Sequence, residues 1–132
     1  MAINRNIRQY SDLNFNFTKS TSTADVTKKV DEEAVKSSII GLISTKFYER
    51  PFQPSLGCQI YSLLFENFTP TTVPVLVSTI KHVITKHEPR VNLLGVDVQN
   101  NQDRNELDIE VRFKLINSPK PLTLKTSISR VR

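Results

Sequence analysis

Thirteen carboxylates in 132 residues give this sequence many groups that could exchange protons. Acid–base catalysis needs two carboxylates held across a cleft, one of them in an apolar setting. Glu49, Glu66 and Glu88 lie near predicted helix ends or connectors with apolar neighbours. No spacing fixes any two of them opposite each other, so the pattern favours solvated or salt-bridged carboxylates.

Nucleophilic catalysis has even fewer candidates. His82 and His87 are five residues apart on one predicted helix, which places them on different faces. Cys58, the single cysteine, follows Gly57 at a predicted helix start, where a thiolate could be stabilised, but a small buried hydrophobe is the favoured interpretation. No GxGxxG, P-loop, HExxH or Cys/His zinc motif occurs. The sequence therefore predicts no catalytic, cofactor-binding or metal-binding residue and no small-molecule substrate.

The net charge of +5 is concentrated at the two ends of the chain. Residues 1–30 carry five bases against two acids, and residues 119–132 carry four against none. Basic ends could steer the chain to nucleic acid, a membrane or an acidic protein surface. The strands lack the interleaved aromatics and arginines of nucleic-acid binders, and no stretch reaches the roughly 20 apolar residues of a membrane span. We expect a soluble chain that binds neither nucleic acid nor membrane.

The elements that position these groups begin with strand and helix patterns. Leu13, Phe15 and Phe17 alternate with polar residues, which predicts a half-buried strand within residues 11–20. Asp31 can cap a helix over about 31–45. A short second helix follows from Ile60, Leu63 and Leu64, and a third over about 72–88, with Thr72 as a possible cap, from Val73, Val77, Ile80 and Ile84.

The connector, residues 44–57, separates the first two predicted helices. Pro51 and Pro54 exclude a helix there, and Gly57 provides a backbone position without side-chain restriction. Its aromatic residues are Phe47, Tyr48 and Phe52. Because these side chains would not stay in water without a cost, we expect them to pack on the core or on a partner.

The corner, Glu88, Pro89 and Arg90, ends the third helix. A proline disfavours helical backbone in the residue before it and cannot donate to a preceding carbonyl. Glu88 and Arg90 could pair with each other or with the connector. The planar guanidinium of Arg90 could instead meet a carboxylate or carbonyls of a neighbouring molecule.

The C-terminal third alternates with a period of two. Leu94, Val96 and Val98, then Leu107, Ile109, Val111, Phe113 and Leu115, predict a hairpin with one buried face. Leu122, Leu124, Thr126 and Ile128 predict a last strand. We expect residues 106–116 and 121–130 to form a sheet edge that accepts strands from another chain. The alternative is an edge kept solitary by Lys125 and Arg130.

These elements predict a single α+β domain over residues 1–132. Three N-terminal and central helices pack on a small C-terminal sheet that is mainly antiparallel. Residues 1–25 form a variable N-terminal strand or arm, 31–88 the helical part with its connector, and 91–132 a meander of strands.

Four segments in order, IIGLISTK, RPFQPSLGC, LLFEN and HEPR, resemble the baseplate wedge subunit of T-even contractile-tailed phages. Type VI secretion baseplates have a member of the same family. The resemblance covers about residues 35–98 well, the C-terminal strands by pattern, and residues 1–25 hardly at all. The family pattern usually has a glycine near Tyr48, and often an acid and an aromatic near Ser55 and Leu56. These departures affect the detailed shape expected for the connector.

The resemblance implies a structural, non-enzymatic role in the virion, in a tail baseplate assembled in the host cytoplasm. It implies that Glu88, Pro89 and Arg90 face the core helical bundle of neighbouring wedge proteins. Arg50, Pro51 and Phe52 match the family's connector motif, and Leu64–Asn67 a further motif. The C-terminal strands, which include Lys125, would accept strands of the tail sheath subunit and seed sheath assembly.

Two rival functions remain open. Some family members carry a lysozyme label, so a peptidoglycan hydrolase using Glu66 or Glu49 with Glu88 is the enzymatic alternative, although the acids give it no geometric support. Nucleic-acid binding through the basic ends is the other alternative, and it predicts affinity that falls steeply with salt.

Overall fold

The computed structural model describes residues 10–64, 69–101 and 103–129. The elements in chain order are β1 (Ser11–Leu13), β2 (Lys28–Val30), α1 (Asp31–Ser44), α2 (Ile60–Leu64), α3 (Thr72–His87), β3 (Val91–Asn101), β4 (Glu106–Leu115) and β5 (Pro121–Ser129). This mixture of helices with a three-stranded antiparallel sheet confirms the coarse α+β prediction. The chain divides into two compact units, Met1–Ser38 and Ile39–Arg132. The single domain stays a prediction.

In the first unit, β1 and β2 form a short antiparallel pair. The longer strand expected here is wrong beyond Leu13, because a turn follows at once. The Asn14 carbonyl accepts a 2.9 Å hydrogen bond from the Phe17 N–H, and the Asn14 side chain donates to the Thr27 hydroxyl at 3.1 Å. Asparagine side chains commonly offer the backbone such alternatives to a strand. Leu13, Phe15 and Phe17 are all exposed rather than half-buried, so the predicted burial of this segment is wrong.

Helix α1 begins at Asp31 as expected from the sequence. Asp31 has a φ of +47°, and its N–H donates to the Tyr10 carbonyl at 2.8 Å. Two further acids, Glu32 and Glu33, occupy the first turn, where the helix dipole favours negative charge. The buried stripe comprises Ala34, Val35, Ile39, Leu42 and Ile43. The amphipathic pattern of this segment is confirmed.

Helix α3 ends where the proline requires it. Glu88 has φ −124° and ψ 78°, and its N–H still donates to the Ile84 carbonyl at 2.8 Å. Thr71, not Thr72, is the N-cap, and it makes no side-chain capping bond. The buried positions are Thr72, Leu76, Ile80, Val83 and Ile84. Val73 and Val77 are only half-buried, so the buried stripe is rotated from the one that the sequence predicts.

The second unit contains the sheet, whose strand order is β3–β4–β5 with both pairings antiparallel. Its buried face carries Leu107, Ile109, Val111, Phe113, Leu115, Leu122, Leu124 and Ile128. Helix α3 lies against β3, and α2 contacts α3. The two-residue period of β4 and β5 is therefore confirmed, and packing of all three helices on the sheet stays a prediction.

Strand β3 departs from the expected alternation. It begins at Val91, and its register with β4 shifts between Leu93 and Gly95. Such a bulge adds one residue and reverses the faces that follow. Leu94 is the extra residue and is 59% exposed, so its predicted burial is wrong. The shift keeps Val91 inward before the bulge and Val96 inward after it.

The position of β4 corrects the predicted edge. Strand β4 is the middle strand, paired with β3 on one side and β5 on the other. Its backbone groups are therefore used within the sheet. Of the two segments expected to form the edge, only β5 lies at an edge of the sheet among the described residues.

Candidate protein-interaction site

The connector is ordered by hydrogen bonds between its own backbone groups. The Tyr48 N–H donates to the Pro54 carbonyl at 3.0 Å, which closes the loop across the two prolines. The Cys58 N–H donates to the Thr45 carbonyl at 2.8 Å. The Glu49 carboxylate accepts the Lys46 N–H at 2.8 Å. The prediction of an ordered connector is confirmed.

Gly57 allows this closure. Its φ is +142°, a region almost restricted to glycine. A β-carbon at this position would lie 2.8 Å from the Thr45 carbonyl oxygen and 2.9 Å from the carbonyl carbon and oxygen of Lys46. These neighbours are backbone atoms and cannot rotate away. The close approach of residue 57 to the end of α1 therefore requires glycine.

The aromatic side chains of the connector point into solvent. Tyr48 is 85% exposed and Phe52 is 98% exposed. The expectation that these two rings pack on the core is therefore wrong, and packing on a partner stays a prediction. Arg50 and Pro51 are exposed as well. The structure thus leaves all three connector residues of the expected binding set, Arg50, Pro51 and Phe52, at the surface.

The corner is an ion pair with one buried member. Arg90 donates from Nε to Glu88 Oε1 at 2.5 Å and from Nη2 to Glu88 Oε2 at 2.7 Å. The Glu88 side chain is 2% exposed and that of Arg90 is 29% exposed. Pro89 is exposed between them. The two side chains pair with each other, one of the alternatives that the sequence left open.

The corner is also tied to the sheet. The Arg90 carbonyl accepts a hydrogen bond of 3.1 Å from the Ile116 N–H, just beyond β4. A buried carboxylate requires compensation by charge and hydrogen bonds, and the two-pronged contact supplies both. The corner therefore presents a guanidinium at the surface whose orientation is fixed by a carboxylate beneath it.

The third predicted feature, β5, carries a polar outer face. Lys125 is exposed and its Nζ lies 3.1 Å from Glu110 Oε2 of the neighbouring strand. Along β5 the inward residues are buried and the outward ones exposed, with Thr126 intermediate. Among the residues that the structure describes, no strand pairs with the second side of β5.

The candidate acids for hydrolysis are not brought together as a catalytic pair. Glu49 is exposed, while both carboxylate oxygens of Glu88 are held by Arg90. Glu66 lies outside the described residues, and so do Phe65 and Asn67 of the LLFEN segment. Of the candidate acids that the structure describes, Glu49 and Glu88 therefore lie in different settings, one exposed and one buried against Arg90.

Cys58 is a buried thiol. Burial raises its pKa to about 11, and the backbone N–H groups of Ile60 and Gln59 lower it only in part. A thiol with this pKa stays protonated near neutral pH and is a poor nucleophile. The interpretation as a small buried hydrophobe is confirmed.

Within residues 10–64, 69–101 and 103–129, no group of three or more His, Cys, Asp or Glu residues could hold a metal ion. In the same ranges, every helix is too short or too polar for a membrane span.

A groove that the sequence analysis missed lies between the connector and α3. Tyr48 and Pro54 line it from the connector, and His82, Lys86 and His87 line it from the helix. The sequence signal that could have indicated this groove is in the last two turns of α3, which carry basic residues and no acidic residue. The sequence could not show that the connector folds back beside them.

Comparisons with known proteins agree on one family. The model of the family described as baseplate wedge protein gp25 matches residues 29–120. The baseplate wedge protein gp25 of Enterobacteria phage T4 is 34% identical over 110 residues, which cover 83% of each chain.

Solved structures show the same fold. A Geobacter sulfurreducens protein described as a tail lysozyme superposes with a TM-score of 0.70 at 24% identity, over 76% of this chain and 92% of that one. A chain of the anti-feeding prophage baseplate gives 0.64 at 24% identity, over 89% and 83%. A chain of the type VI secretion baseplate complex gives 0.58 at 17% identity, over 73% and 92%.

The structural likenesses are below 25% identity and establish the fold alone. Membership rests on the family model, which matches well over half of the chain, and on the phage T4 relative. By both findings, the chain belongs to the baseplate wedge protein gp25 family.

Proposed function

We propose that the chain is a non-enzymatic structural component of the wedge that binds the wedge's core helical bundle and templates the tail sheath by strand addition. Its location follows from the family: the chain is a baseplate protein of a phage tail. The observation that carries the sheath proposal is the edge position of β5, next to the fully paired β4.

The edge supplies both affinity and register. Main-chain donors and acceptors on the outer side of β5 can pair with an incoming strand, as in other cases of strand addition. Inward and exposed residues alternate along β5, with Thr126 intermediate, so a slip of one residue would place the incoming side chains on the wrong face. The partner proposed for this edge is a strand of the tail sheath subunit. Lys125 lies on the outer face of β5, beside the proposed partner strand.

The corner and the connector form the proposed contact with the helical bundle. The Glu88 carboxylate fixes the plane of the Arg90 guanidinium, and Pro89 is exposed beside it. Phe52 offers an exposed ring, and Arg50 a second guanidinium. Aromatic and arginine side chains are the types that most often dominate binding energy at protein interfaces.

Proline substitution in β5 tests strand addition. The N–H groups along a strand point alternately to its two neighbours, so Thr123 and Thr126, three residues apart, point to opposite sides. One proline therefore removes a hydrogen bond to β4, and the other removes an N–H donor from the outer edge of β5. The second substitution is called the edge-side proline. We expect the edge-side proline to keep the thermal unfolding midpoint nearly unchanged and to block sheath polymerisation on purified baseplates.

The other proline serves as the matched control, because it should destabilise the sheet itself. If the edge-side variant folds and sheath polymerises normally, strand addition is the wrong mechanism.

Exposed connector residues give a test of bundle binding that does not depend on folding. Phe52→Ala and Arg50→Ala should leave unfolding unchanged and reduce incorporation of the chain into wedges, measured by sedimentation. Arg90→Ala is less suitable as a test of binding, because it would remove the guanidinium that compensates the buried Glu88 carboxylate. If a variant that carries both substitutions is incorporated normally, the connector is not part of the interface with the bundle.

The competing function is peptidoglycan hydrolysis, which the similarity to a protein described as a tail lysozyme raises. That similarity supports the fold only, and Glu88 is engaged by Arg90. We expect no turnover when the purified chain is incubated with cell-wall peptidoglycan. Robust turnover that Glu66→Gln abolishes would establish the enzyme instead.

A further inference from the structure

The groove between the connector and α3 has a volume of about 410 Å³, and its lining includes none of Arg50, Phe52, Arg90 and Lys125. Phe47, Tyr48 and Pro54 line it on the connector side. On the helix side it is lined by the polar side chains of His82, Lys86 and His87, with the buried Val83 between them. Both sides belong to the second compact unit. The groove therefore combines an apolar floor and aromatic wall with a basic rim.

Tyr48 is held in an unfavourable conformation. Its φ is +65°, in the left-handed region, where a β-carbon crowds the carbonyl oxygen and a bulky residue is an outlier. The hydrogen bond from its N–H to Pro54 fixes this conformation. The ring is 85% exposed, so packing within the described chain returns little for the strain. Glycine or asparagine would suit the backbone better, so the fold itself does not require a tyrosine at this position.

The charge around the groove is one-sided. Helix α3 contains no acid, and Lys81, His82, Lys86 and His87 lie in its last two turns. Of these four, His82, Lys86 and His87 line the groove, and no described acid is among its lining residues. Glu49, the single acid of the connector, does not line the groove, and its carboxylate accepts the N–H of Lys46. Positive charges near a helix C-terminus interact favourably with the helix dipole. This interaction does not explain the aromatic side chains on the opposite side of the groove.

We propose that the groove binds an acidic segment of another baseplate protein. An apolar residue of the segment packs between Tyr48 and Val83, and its carboxylates meet Lys86 and the imidazole of His82. The charge complementarity selects the occupant, and the strained tyrosine gives it a rigid wall. The proposal rests on the proposed function for the partner's place in the wedge, and it extends the contact proposed for the connector to residues that line the groove.

Replacing Tyr48 separates binding from folding. Tyr48→Gly and Tyr48→Asn both tolerate a left-handed backbone. We expect neither to lower the melting temperature, and both to weaken binding of the chain to a purified wedge subassembly lacking it by about tenfold or more, as for an aromatic anchor. The dissociation constant would be measured by fluorescence anisotropy with dye-labelled chain.

Charge reversal tests the rim. Lys86 lines the groove, and Lys81 is exposed on the same helix but does not line it. Lys86→Glu should weaken binding roughly tenfold and flatten its salt dependence, while Lys81→Glu should change it by less than about threefold. A photo-crosslinking residue at position 48, in the assembled baseplate, should link to a peptide with a net negative charge.

Several results would overturn the proposal. Wild-type affinity of both Tyr48 variants would exclude the wall, and a marked loss of melting temperature would make Tyr48 a structural residue. Binding of duplex DNA by the wild-type chain, lost in Lys86→Glu, would assign the rim to nucleic acid. Failure of the wild-type chain to bind the subassembly would instead contradict the proposed function itself.

Discussion

Two regions of the second unit contain the same components in different settings. The connector and corner hold Gly57 and the pair Glu88–Arg90, while the outer face of the sheet holds Gly95 and the pair Asp97–Arg112. Contact distances in the two pairs are similar, 2.7 Å from Arg90 Nη2 to Glu88 and 2.6 Å from Arg112 Nη2 to Asp97.

The difference between the regions is burial. Glu88 is 2% exposed, whereas Asp97 is 56% and Arg112 is 52% exposed. Water screens the outer pair, so its Coulomb attraction nearly balances the cost of ordering two side chains. At the corner the carboxylate has lost its water, so the guanidinium must replace it. Distance alone therefore does not reveal which charges determine stability.

The glycines should show the largest difference between the regions. Gly57→Ala would place a β-carbon 2.8 Å from the Thr45 carbonyl oxygen at a φ of +142°. Strain at such a φ and overlap with fixed backbone each contribute, so we expect a loss of about 3 kcal/mol or more in the free energy of unfolding. Urea unfolding followed by circular dichroism would measure it.

Gly95→Ala is the matched control on the sheet. The added carbon would meet the Arg112 guanidinium at 3.3 Å, and that exposed side chain can move. We expect a change within about 0.5 kcal/mol, as for most surface substitutions. Equal losses for the two alanine variants would show that the connector is not the more constrained region.

The corner ion pair should give the next largest effect. Arg90→Ala leaves the Glu88 carboxylate buried without its guanidinium, and we expect the free energy of unfolding to fall by about 3 kcal/mol. The value is at the low end for buried pairs because Arg90 is itself partly exposed. Thermal and urea unfolding of the isolated chain would measure the loss.

A double variant sharpens this result. Glu88→Met with Arg90→Met removes both charges and keeps apolar volume at the corner, so it should recover much of the stability lost in Arg90→Ala. If the double variant is less stable than Arg90→Ala, the pair contributes more than the compensation of a buried charge.

Strands β4 and β5 could be predicted from the sequence because their period is regular. Each inward residue of β4, from Leu107 to Leu115, is buried, and turn residues separate the strands. The end of α3 was equally predictable, since a proline restricts the residue before it by sterics alone. Local rules sufficed wherever local geometry was decisive.

The features that failed depend on partners distant in sequence. Nothing around Leu94 reveals the register shift, because a bulge is defined by the opposite strand. The burial of Glu88 is similar: the spacing to Arg90 permits a pair, but only packing removes the carboxylate from water. The groove beside Tyr48 needs the connector to close against α3, which no periodicity describes.

The exposed pair on the sheet should give the smallest effect. Arg112→Ala breaks a contact whose partners are both more than half exposed, and we expect less than about 0.5 kcal/mol in the free energy of unfolding. Added salt should reduce even this difference, because the screening length falls to about 3 Å at 1 M. Urea unfolding at low and high salt would measure both.

The Arg90→Ala loss should persist at high salt, since ions do not reach a buried carboxylate. A salt-independent loss at Arg112 as large as that at Arg90 would contradict burial as the cause of the difference between the two regions.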